Sequence, residues 1–387
     1  MRKMKVGLIG VGDISNKYVD NLKQYPDIVE IKGCAARNYE KTCGRAKTLG
    51  IDFVYPSVDA LLADPEIDIV LNLTTPDAHA KYNLAALAAG KHVYTEKPLA
   101  ATFAEGKQIM DLAREKGLTV CCAPDTFLGG RVQTMREQID AGLIGKITGG
   151  EAAMLCHGWE CYHPNVAFYY RPGGGPTLDM GPYYLTALVS LLGPVEAVTA
   201  MSSRSSDTRY LPTTGQTVPV EIDTHVSGVL RFASGAVVSA TFSFDVWDSV
   251  RPRLELYGTE GTLLMAEPDP NSGPNIFGGE IWLRRKEDFR WGQMPRPAGV
   301  ESLPFEKIPN TRPFSETGHD RNSRGIGLVD QALAIQEGRM ARADAQMGLH
   351  VLEVLESLVE AAKQEKWLHM TTTCVRPAIL PKDFPQK

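Results

Sequence analysis

The 387-residue chain has no run approaching the roughly 20 apolar residues of a membrane-spanning helix, which excludes a helical membrane protein. It also lacks a charge excess. Lys and Arg number 41 against 46 Asp and Glu, the signs are mixed, and no basic stripe marks a nucleic-acid or membrane surface. Neither nucleic acid nor membrane is therefore expected as a partner. There is no disulfide framework: the seven cysteines, Cys34, Cys43, Cys121, Cys122, Cys156, Cys161 and Cys374, are odd in number and read as reduced thiols. A secretory leader is not expected either. The opening Met-Arg-Lys-Met-Lys is followed by a short apolar run with Gly7 and Gly10 that meets Asp13 without a small-residue cleavage site, so it reads as a first strand. A cytoplasmic protein is expected. Cys156, His157, Cys161 and His163 match no zinc module and are interrupted by aromatic residues, so they read as pocket lining and no metal is expected.

What remains is an ordinary globular composition, 43% hydrophobic and 22% charged, in a chain long enough for two domains. The first third alternates strands with helices: Val6–Ile9, Ile28–Ala36, Asp68–Leu73, His92–Thr95 and Thr119–Cys122 as strands, with Ile14–Gln24, a segment from Glu40 to Gly50, Pro76–Ala89 and Ala104–Lys116 as helices. That alternation implies a parallel sheet covered on both faces. After Pro124 a helix is expected over Val132–Ala141. Strands are expected over Ile147–Leu155, Val226–Phe232, Ala236–Phe244 and Arg253–Tyr257, with Ser234-Gly235 as a hairpin turn. Residues 268–313, rich in Pro, Gly and charge, read as a long loop, and an apolar stripe over Val351–Val359 marks a late helix. The fold class is α/β: an N-terminal dinucleotide-binding Rossmann domain, 1–123, and a C-terminal α+β domain, 124–387, with a large, mostly antiparallel sheet.

The segment Gly7-Leu8-Ile9-Gly10-Val11-Gly12-Asp13-Ile14-Ser15 lies between the first strand and the first helix. Gly10 allows the tight turn, Gly12 lets the backbone approach a pyrophosphate, and Asp13 and Ile14 open the helix whose N-terminus receives it. Glycine pairs are common in βα turns; the position in the chain is what points to a dinucleotide. At the end of the second strand, Cys34-Ala35-Ala36-Arg37-Asn38 lacks the acid that accepts a ribose 2′-hydroxyl and offers Arg37, whose guanidinium suits a 2′-phosphate. NADP is thus favoured over NAD; the competing reading has Arg37 stacking on adenine or lying in solvent.

Two further segments are more specific. One runs Thr74-Thr75-Pro76-Asp77-Ala78-His79 and then Ala89-Gly90-Lys91-His92-Val93-Tyr94-Thr95-Glu96-Lys97-Pro98; the other is Gly173-Gly174-Gly175-Pro176-Thr177-Leu178-Asp179-Met180-Gly181-Pro182-Tyr183. Together they resemble the glucose–fructose oxidoreductase and inositol dehydrogenase family (Gfo/Idh/MocA). The resemblance implies that Lys97 lies beside the nicotinamide and takes part in proton transfer. Following a strand on the ligand-binding edge, a partly buried Lys97 beside a dinucleotide is expected to have a lowered pKa. By the same resemblance Thr74, Thr75 and Pro76 line the cofactor, Glu96 contacts the ribose or braces the turn, and Asp125 sits near the nicotinamide. His79 on the following helix is either structural or functional. The family commonly follows the aspartate, here Asp179, with His four residues later. This chain has Tyr183 there, on one helical face with Asp179 if a helix begins at that point. Proton transfer is thus left among Lys97 alone, Tyr183, His157 and His163, and Asp179 has a competing reading as an N-cap ahead of Pro182.

Between these motifs, residues 156–164 and Phe168-Tyr169-Tyr170-Arg171 concentrate imidazole, indole and phenol groups. Such a mixture suits a sugar or polyol pocket, with His157, His163 and Tyr169 joining Asp179 and Tyr183 on the substrate; the competing reading is a satellite aromatic core. Residues 318–324, polar and glycine-flanked, either reach that pocket or cap the late helix. The reading is an NAD(P)-dependent oxidoreductase acting on a secondary alcohol of a sugar, glycoside or cyclic polyol, and working as a homo-oligomer, a dimer or tetramer. An enzyme that recycles a tightly held cofactor through sugar elimination, hydrolysis or epimerisation is the alternative. A non-catalytic dinucleotide or metabolite sensor is the third, disfavoured by the presence of both Lys97 and Asp179.

Overall fold

The computed structural model describes residues 2–161, 166–265, 276, 278–288, 305–314 and 323–385. Five strands fall on the apolar runs of the first third: β1 (Met4–Ile9), β2 (Val29–Ala35), β3 (Ile69–Asn72), β4 (His92–Thr95) and β5 (Val120–Cys122). All pair in parallel, in the order β2-β1-β3-β4-β5. A single bridge from Cys34 to Val54 adds a rudimentary strand outside β2, so the chain reverses its direction of travel across the sheet between β1 and β3. Successive side chains of a strand face opposite ways, and here both faces are apolar. Leu8, Leu71, Tyr94 and Cys121 enter one core, while Ile9, Val70, Val93 and Cys122 enter the other.

The helices α1 (Ser15–Leu22), α2 (Tyr39–Leu49), α3 (Val58–Ala63), α4 (Pro76–Ala88) and α5 (Phe103–Lys116) cover those faces. Gly50 and Gly117 close α2 and α5 where the sequence placed their ends. The six residues of α3 are too few to display a helical period, and it was not expected.

Helix α6 (Gly130–Asp140) leads into a nine-stranded second sheet. The elements that follow are β6 (Ile147–Leu155), α7 (Gly175–Asp179), α8 (Gly181–Leu192), β7 (Val195–Ser203), β8 (Thr208–Leu211) and β9 (Gln216–Pro219), which form a separate small hairpin, then β10 (His225–Phe232), β11 (Val237–Ser243), β12 (Leu254–Gly258), β13 (Gly261–Met265), β14 (Ile281–Arg285) and β15 (Glu306–Ile308). Only β6 and β11 pair in parallel, so the sheet is mostly antiparallel, as expected. Two strands, β14 and β15, lie within the stretch read as a long loop. The inward alternation is only Ile281 and Leu283, set among charged residues, and was too short to register. Every residue of α8 is buried against this sheet.

After α9 (Ile326–Glu337), α10 (Ala345–Gln364) links the two cores, and β16 (Leu368–His369) completes the sheet edge. Ala345, Leu349 and Leu352 of α10 pack with the first sheet, while Val354, Leu355 and Leu358 pack with the second. Helix α9 returns to the first sheet, where Gln331 donates to the carbonyls of Val93 and Thr119.

Asp125 fixes that return. It is fully buried, and one carboxylate oxygen accepts the amides of Gly325 and Gly327 at 2.8 Å each, at the start of α9. Burial pushes its pKa up to about 6, against the pull of those amides. A raised carboxyl pKa means that the folded state holds the proton more tightly. The associated stability is complete below about 4, the unfolded value, and is lost as pH rises through 6. Asp125→Asn keeps an oxygen for both amides and removes the ionisation. The melting temperature of wild type relative to Asp125→Asn should therefore fall between pH 4.5 and 7, a span corresponding to about 3 kcal/mol from 3.8 to about 6. Asp125→Ala should melt lower at every pH. A wild-type and Asn curve that run parallel would contradict this account.

Candidate active site

The turn from β1 to α1 is shaped by two glycines. Gly10 has φ +93°, and a Cβ on it would lie 2.7 Å from the carbonyl oxygen of Leu73, so only glycine lets β1 and β3 approach here. A Cβ on Gly12 would meet nothing within 4 Å, and the residue is exposed. Among the described residues, the amides of Gly12, Asp13 and Ile14 donate to no group of the chain. Ser15 is buried and its hydroxyl donates to the Gly12 carbonyl at 2.5 Å, so the small side chain at the usual third-glycine position braces the turn. Arg45 on α2 adds hydrogen bonds to the carbonyls of Val11 and Gly12 at 3.1 and 3.2 Å. Open space above a helix N-terminus with unused amides fits a dinucleotide pyrophosphate. Arg37 is exposed at the end of β2, and Asn38 beside it caps α2 by accepting the Lys41 amide.

The ends of β3 and β4 lie next to this turn. Thr75 and Pro76 are exposed at the start of α4, and Thr74 bonds Asn72 through its amide and hydroxyl. His79 is fully buried, with ring nitrogens 2.6 Å from the Pro98 carbonyl and 3.0 Å from the Thr74 carbonyl. It ties the two turns together from beneath. Glu96 accepts the Tyr18 hydroxyl at 2.9 Å and the Lys97 amide at 2.8 Å, which braces the turn. Asp125, expected beside the nicotinamide, holds the α9 amides with one of its carboxylate oxygens.

Lys97 reaches across to the second sheet's helices. Its Nζ donates to Asp179 Oδ1 at 2.8 Å and to the Asp179 backbone carbonyl at 2.7 Å, with both side chains about 15% exposed. The indole of Trp159 donates to the other carboxylate oxygen at 3.1 Å. Burial alone would lower the pKa of this ammonium, but the Asp179 carboxylate outweighs it and holds the pKa above the ordinary lysine range. In the protein alone, nearby charge therefore beats desolvation; the lowering was expected with a dinucleotide alongside.

Asp179 ends α7 and Tyr183 lies in α8, with Met180 between the helices, so no single helix carries both. Nor does Asp179 cap α8; its carboxylate is taken by Lys97 and Trp159. The ring of Tyr183 faces Lys97, with Nζ 5.2 Å from its centroid, and its hydroxyl accepts from Arg324 at 2.9 Å. Arg324 is buried, 3.9 Å from Glu96, so the polar segment before α9 does reach the site. The rest of that segment, 318–322, and His163 lie outside the described residues.

Tyr169 stands near Trp159, 6.4 Å between ring centroids, and burial followed by the Asp179 charge raises its pKa. His157 is not brought to Lys97. It stacks on Trp247, and its Nε2 lies 3.2 Å from Arg209 Nη1. A guanidinium only donates, so Nε2 is the acceptor and the ring is neutral. Burial and the Arg209 charge lower its pKa in the same sense. Trp159 and Arg324 were assigned no role of their own from the sequence, although both lie in segments singled out for their polar and aromatic content. A cavity of about 780 Å³ lies elsewhere, between residues 173–175, α10 and β16, and Lys97 is not among its walls. Among the described residues no three His, Cys, Asp or Glu groups are placed to hold a metal, and no helix is long and apolar enough to cross a membrane.

Together, the glycine turn, the parallel sheet and a lysine at its carboxyl edge define an NAD(P)-dependent oxidoreductase. Residues 4–123 match the model of the oxidoreductase family with an NAD-binding Rossmann fold, and residues 132–264 match the GFO/IDH/MocA C-terminal domain. The chain belongs to the Gfo/Idh/MocA family. It is 26% identical to levoglucosan dehydrogenase of Pseudarthrobacter phenanthrenivorans over 95% of this chain and 98% of that protein. To D-xylose 1-dehydrogenase (NADP(+)) 2 of Haloferax volcanii it is 25% identical over 93% and 98%. A solved levoglucosan dehydrogenase in complex with NADH and levoglucosan shares the fold, with a TM-score of 0.77 and 24% identity over 96% of this chain and 100% of that one.

The raised Lys97 pKa can be measured directly. Competitive acylation of the protein across pH, read residue by residue by mass spectrometry, should give Lys97 a midpoint above that of exposed lysines. Asp179→Asn should move it down. A midpoint that Asp179→Asn leaves in place would remove the carboxylate as its cause.

Proposed function

We propose that this protein catalyses reversible hydride transfer between a secondary alcohol of a sugar, glycoside or cyclic polyol and a nicotinamide dinucleotide, with Lys97 as the proton-transfer group. The observation that carries this reading is the state of Nζ. An ammonium has three hydrogens; two are taken by Asp179, and one remains for a substrate oxygen. The dinucleotide, when bound, supplies the acceptor or donor of the hydride. In reduction Nζ gives its free hydrogen to the carbonyl oxygen as the C–H bond forms. In oxidation Nζ must first be neutral, and a second positive charge entering the cleft opposes Asp179 and favours that form.

Asp179 orients Nζ, and Trp159 holds the carboxylate by its far oxygen. Tyr183 is a positioning residue in this reading, its ring walling one side of Nζ. Tyr169 and residues of the 156–163 segment, His157 and His163 included, would meet the sugar. Gly10, Gly12, Asp13, Ile14, Thr74, Thr75 and Pro76 would hold the dinucleotide, with Arg37 at the ribose. The names of the two similar dehydrogenases support a sugar substrate. The seven free thiols support a reducing compartment, the cytoplasm. Assembly into a homo-oligomer is part of the same reading.

Turnover is read as reduced-nicotinamide absorbance over a panel of sugars and polyols. Lys97→Met should abolish it while leaving dinucleotide affinity within a few-fold. Tyr183→Phe keeps the ring and loses only the acceptor of Arg324, so its loss should stay short of the ~10²-fold typical of a missing acid–base group. A Tyr183→Phe defect as deep as that of Lys97→Met would transfer the proton to the phenol.

NADP preference rests on Arg37, exposed where an acid would select NAD, with no partner recorded among the described residues. Arg37→Ala should weaken NADP at least tenfold in titrations and NAD hardly at all. Equal losses would leave Arg37 without a role in the choice.

A further inference from the structure

Trp247 is 82% exposed, yet it is rigidly held. Its indole stacks on the His157 imidazole with centroids 3.4 Å apart and planes 15° apart. The amide of the preceding residue, Val246, donates to the Cys156 carbonyl, which fixes the two segments at the point of stacking. His157 is in turn fixed by Arg209, which is buried between Glu160, Asp245 and the Phe244 carbonyl. Asp245 accepts hydroxyls from Ser205 and Thr224 at 2.7 Å each. An exposed indole normally gains from rotamer freedom; here a buried ion cluster is used to hold one flat side against an imidazole.

A chain of contacts joins the platform to the active site. Trp159, whose indole holds Asp179, is two residues from His157 and packs edge-on against Phe244 at 5.9 Å, three residues before Trp247. An aromatic face carries negative charge density that attracts the weakly positive C–H face of a pyranose ring. His157 Nε2 accepts from Arg209 and its Nδ1 is buried, so the platform offers a ring face rather than a hydrogen-bonding edge.

We infer that Trp247, backed by His157, is a subsite for the second ring of a disaccharide or aryl or alkyl glycoside whose first ring lies at Lys97. This rests on the sugar reading above and narrows it to substrates with two rings or an equivalent aglycone. The second ring is held by stacking and does not enter the reaction.

The test compares cellobiose and maltose with glucose on wild type, Trp247→Ala and Trp247→Tyr, by calorimetric Kd with dinucleotide present and by steady-state turnover. Trp247 is exposed, so truncation should leave the fold intact, and matching melting curves would verify that. A disaccharide should bind wild type at least tenfold more tightly than glucose. Trp247→Ala should erase that margin without changing kcat or the glucose Kd, and Trp247→Tyr should restore most of it. Wild type that binds neither disaccharide more tightly than glucose, or an alanine variant that keeps the margin, overturns the subsite. Disaccharide affinity that depends on Trp247 without hydride transfer to any sugar would uphold the subsite and sink the proposed reaction.

Discussion

The contact between Lys97 and Asp179 is the constraint on which the site depends. It joins the carboxyl edge of the first sheet to α7, which packs under the second, across 82 residues of sequence. Two charges this little exposed are tolerated only when each has partners, because an ion left alone out of water is costly. The partners are present: Asp179 spends one oxygen on Lys97 and the other on the Trp159 indole, and its backbone carbonyl takes a second lysine hydrogen. That arrangement requires α7 to stop at Asp179, so that carboxylate and carbonyl both face Lys97, and α8 to begin afresh at Gly181.

A second layer of polar contacts locks the pieces that meet there. Glu96 joins Tyr18 of α1 to the backbone of Lys97, and Arg324 lies beside it while donating to Tyr183. Directly after Arg324, the amides at the start of α9 are held by Asp125. Beneath the opposite turn, Asn72 bonds Asn83, Asn83 donates to the Leu99 carbonyl, and His79 touches both Thr74 and Pro98. The turn expected to meet the dinucleotide and the turn that carries Lys97 therefore cannot move independently. Buried polar networks with every member partnered favour one arrangement over nearby alternatives.

Much of this was legible in the residues. The alternation of apolar runs with helical patterns gave the parallel sheet, because the strands were short apolar runs and two of the helices, α2 and α5, ended at glycines. Gly10 and Gly12 marked the open turn, and the lysine and aspartate motifs marked the two ends of the ion pair. Contacts over long sequence distances were not legible. Nothing local to Arg324 says that it meets a tyrosine 141 residues earlier, and nothing in Trp159 says that its indole nitrogen faces a carboxylate. The countercharge that raises the Lys97 pKa was hidden for the same reason. Burial can be guessed from a motif, whereas the distance to a countercharge cannot.

Tyr183 shows how one substitution is absorbed. A phenol places its oxygen farther from the backbone than an imidazole places its nitrogens. On this helix the hydroxyl passes Lys97 and ends at Arg324, leaving the ring beside Nζ. A buried hydroxyl with no partner would be penalised by the loss of its hydration, so the tyrosine needs a donor at that depth, and Arg324 is that donor. The guanidinium brings a charge that must itself be balanced, and Glu96 lies 3.9 Å away to do so. The exchange therefore draws in three positions. It also removes a titrating imidazole from beside Nζ and puts a cation–π surface there, with a ring centroid 5.2 Å from the charge. Such a wall restrains the ammonium beside the Asp179 carboxylate that accepts its hydrogen bond.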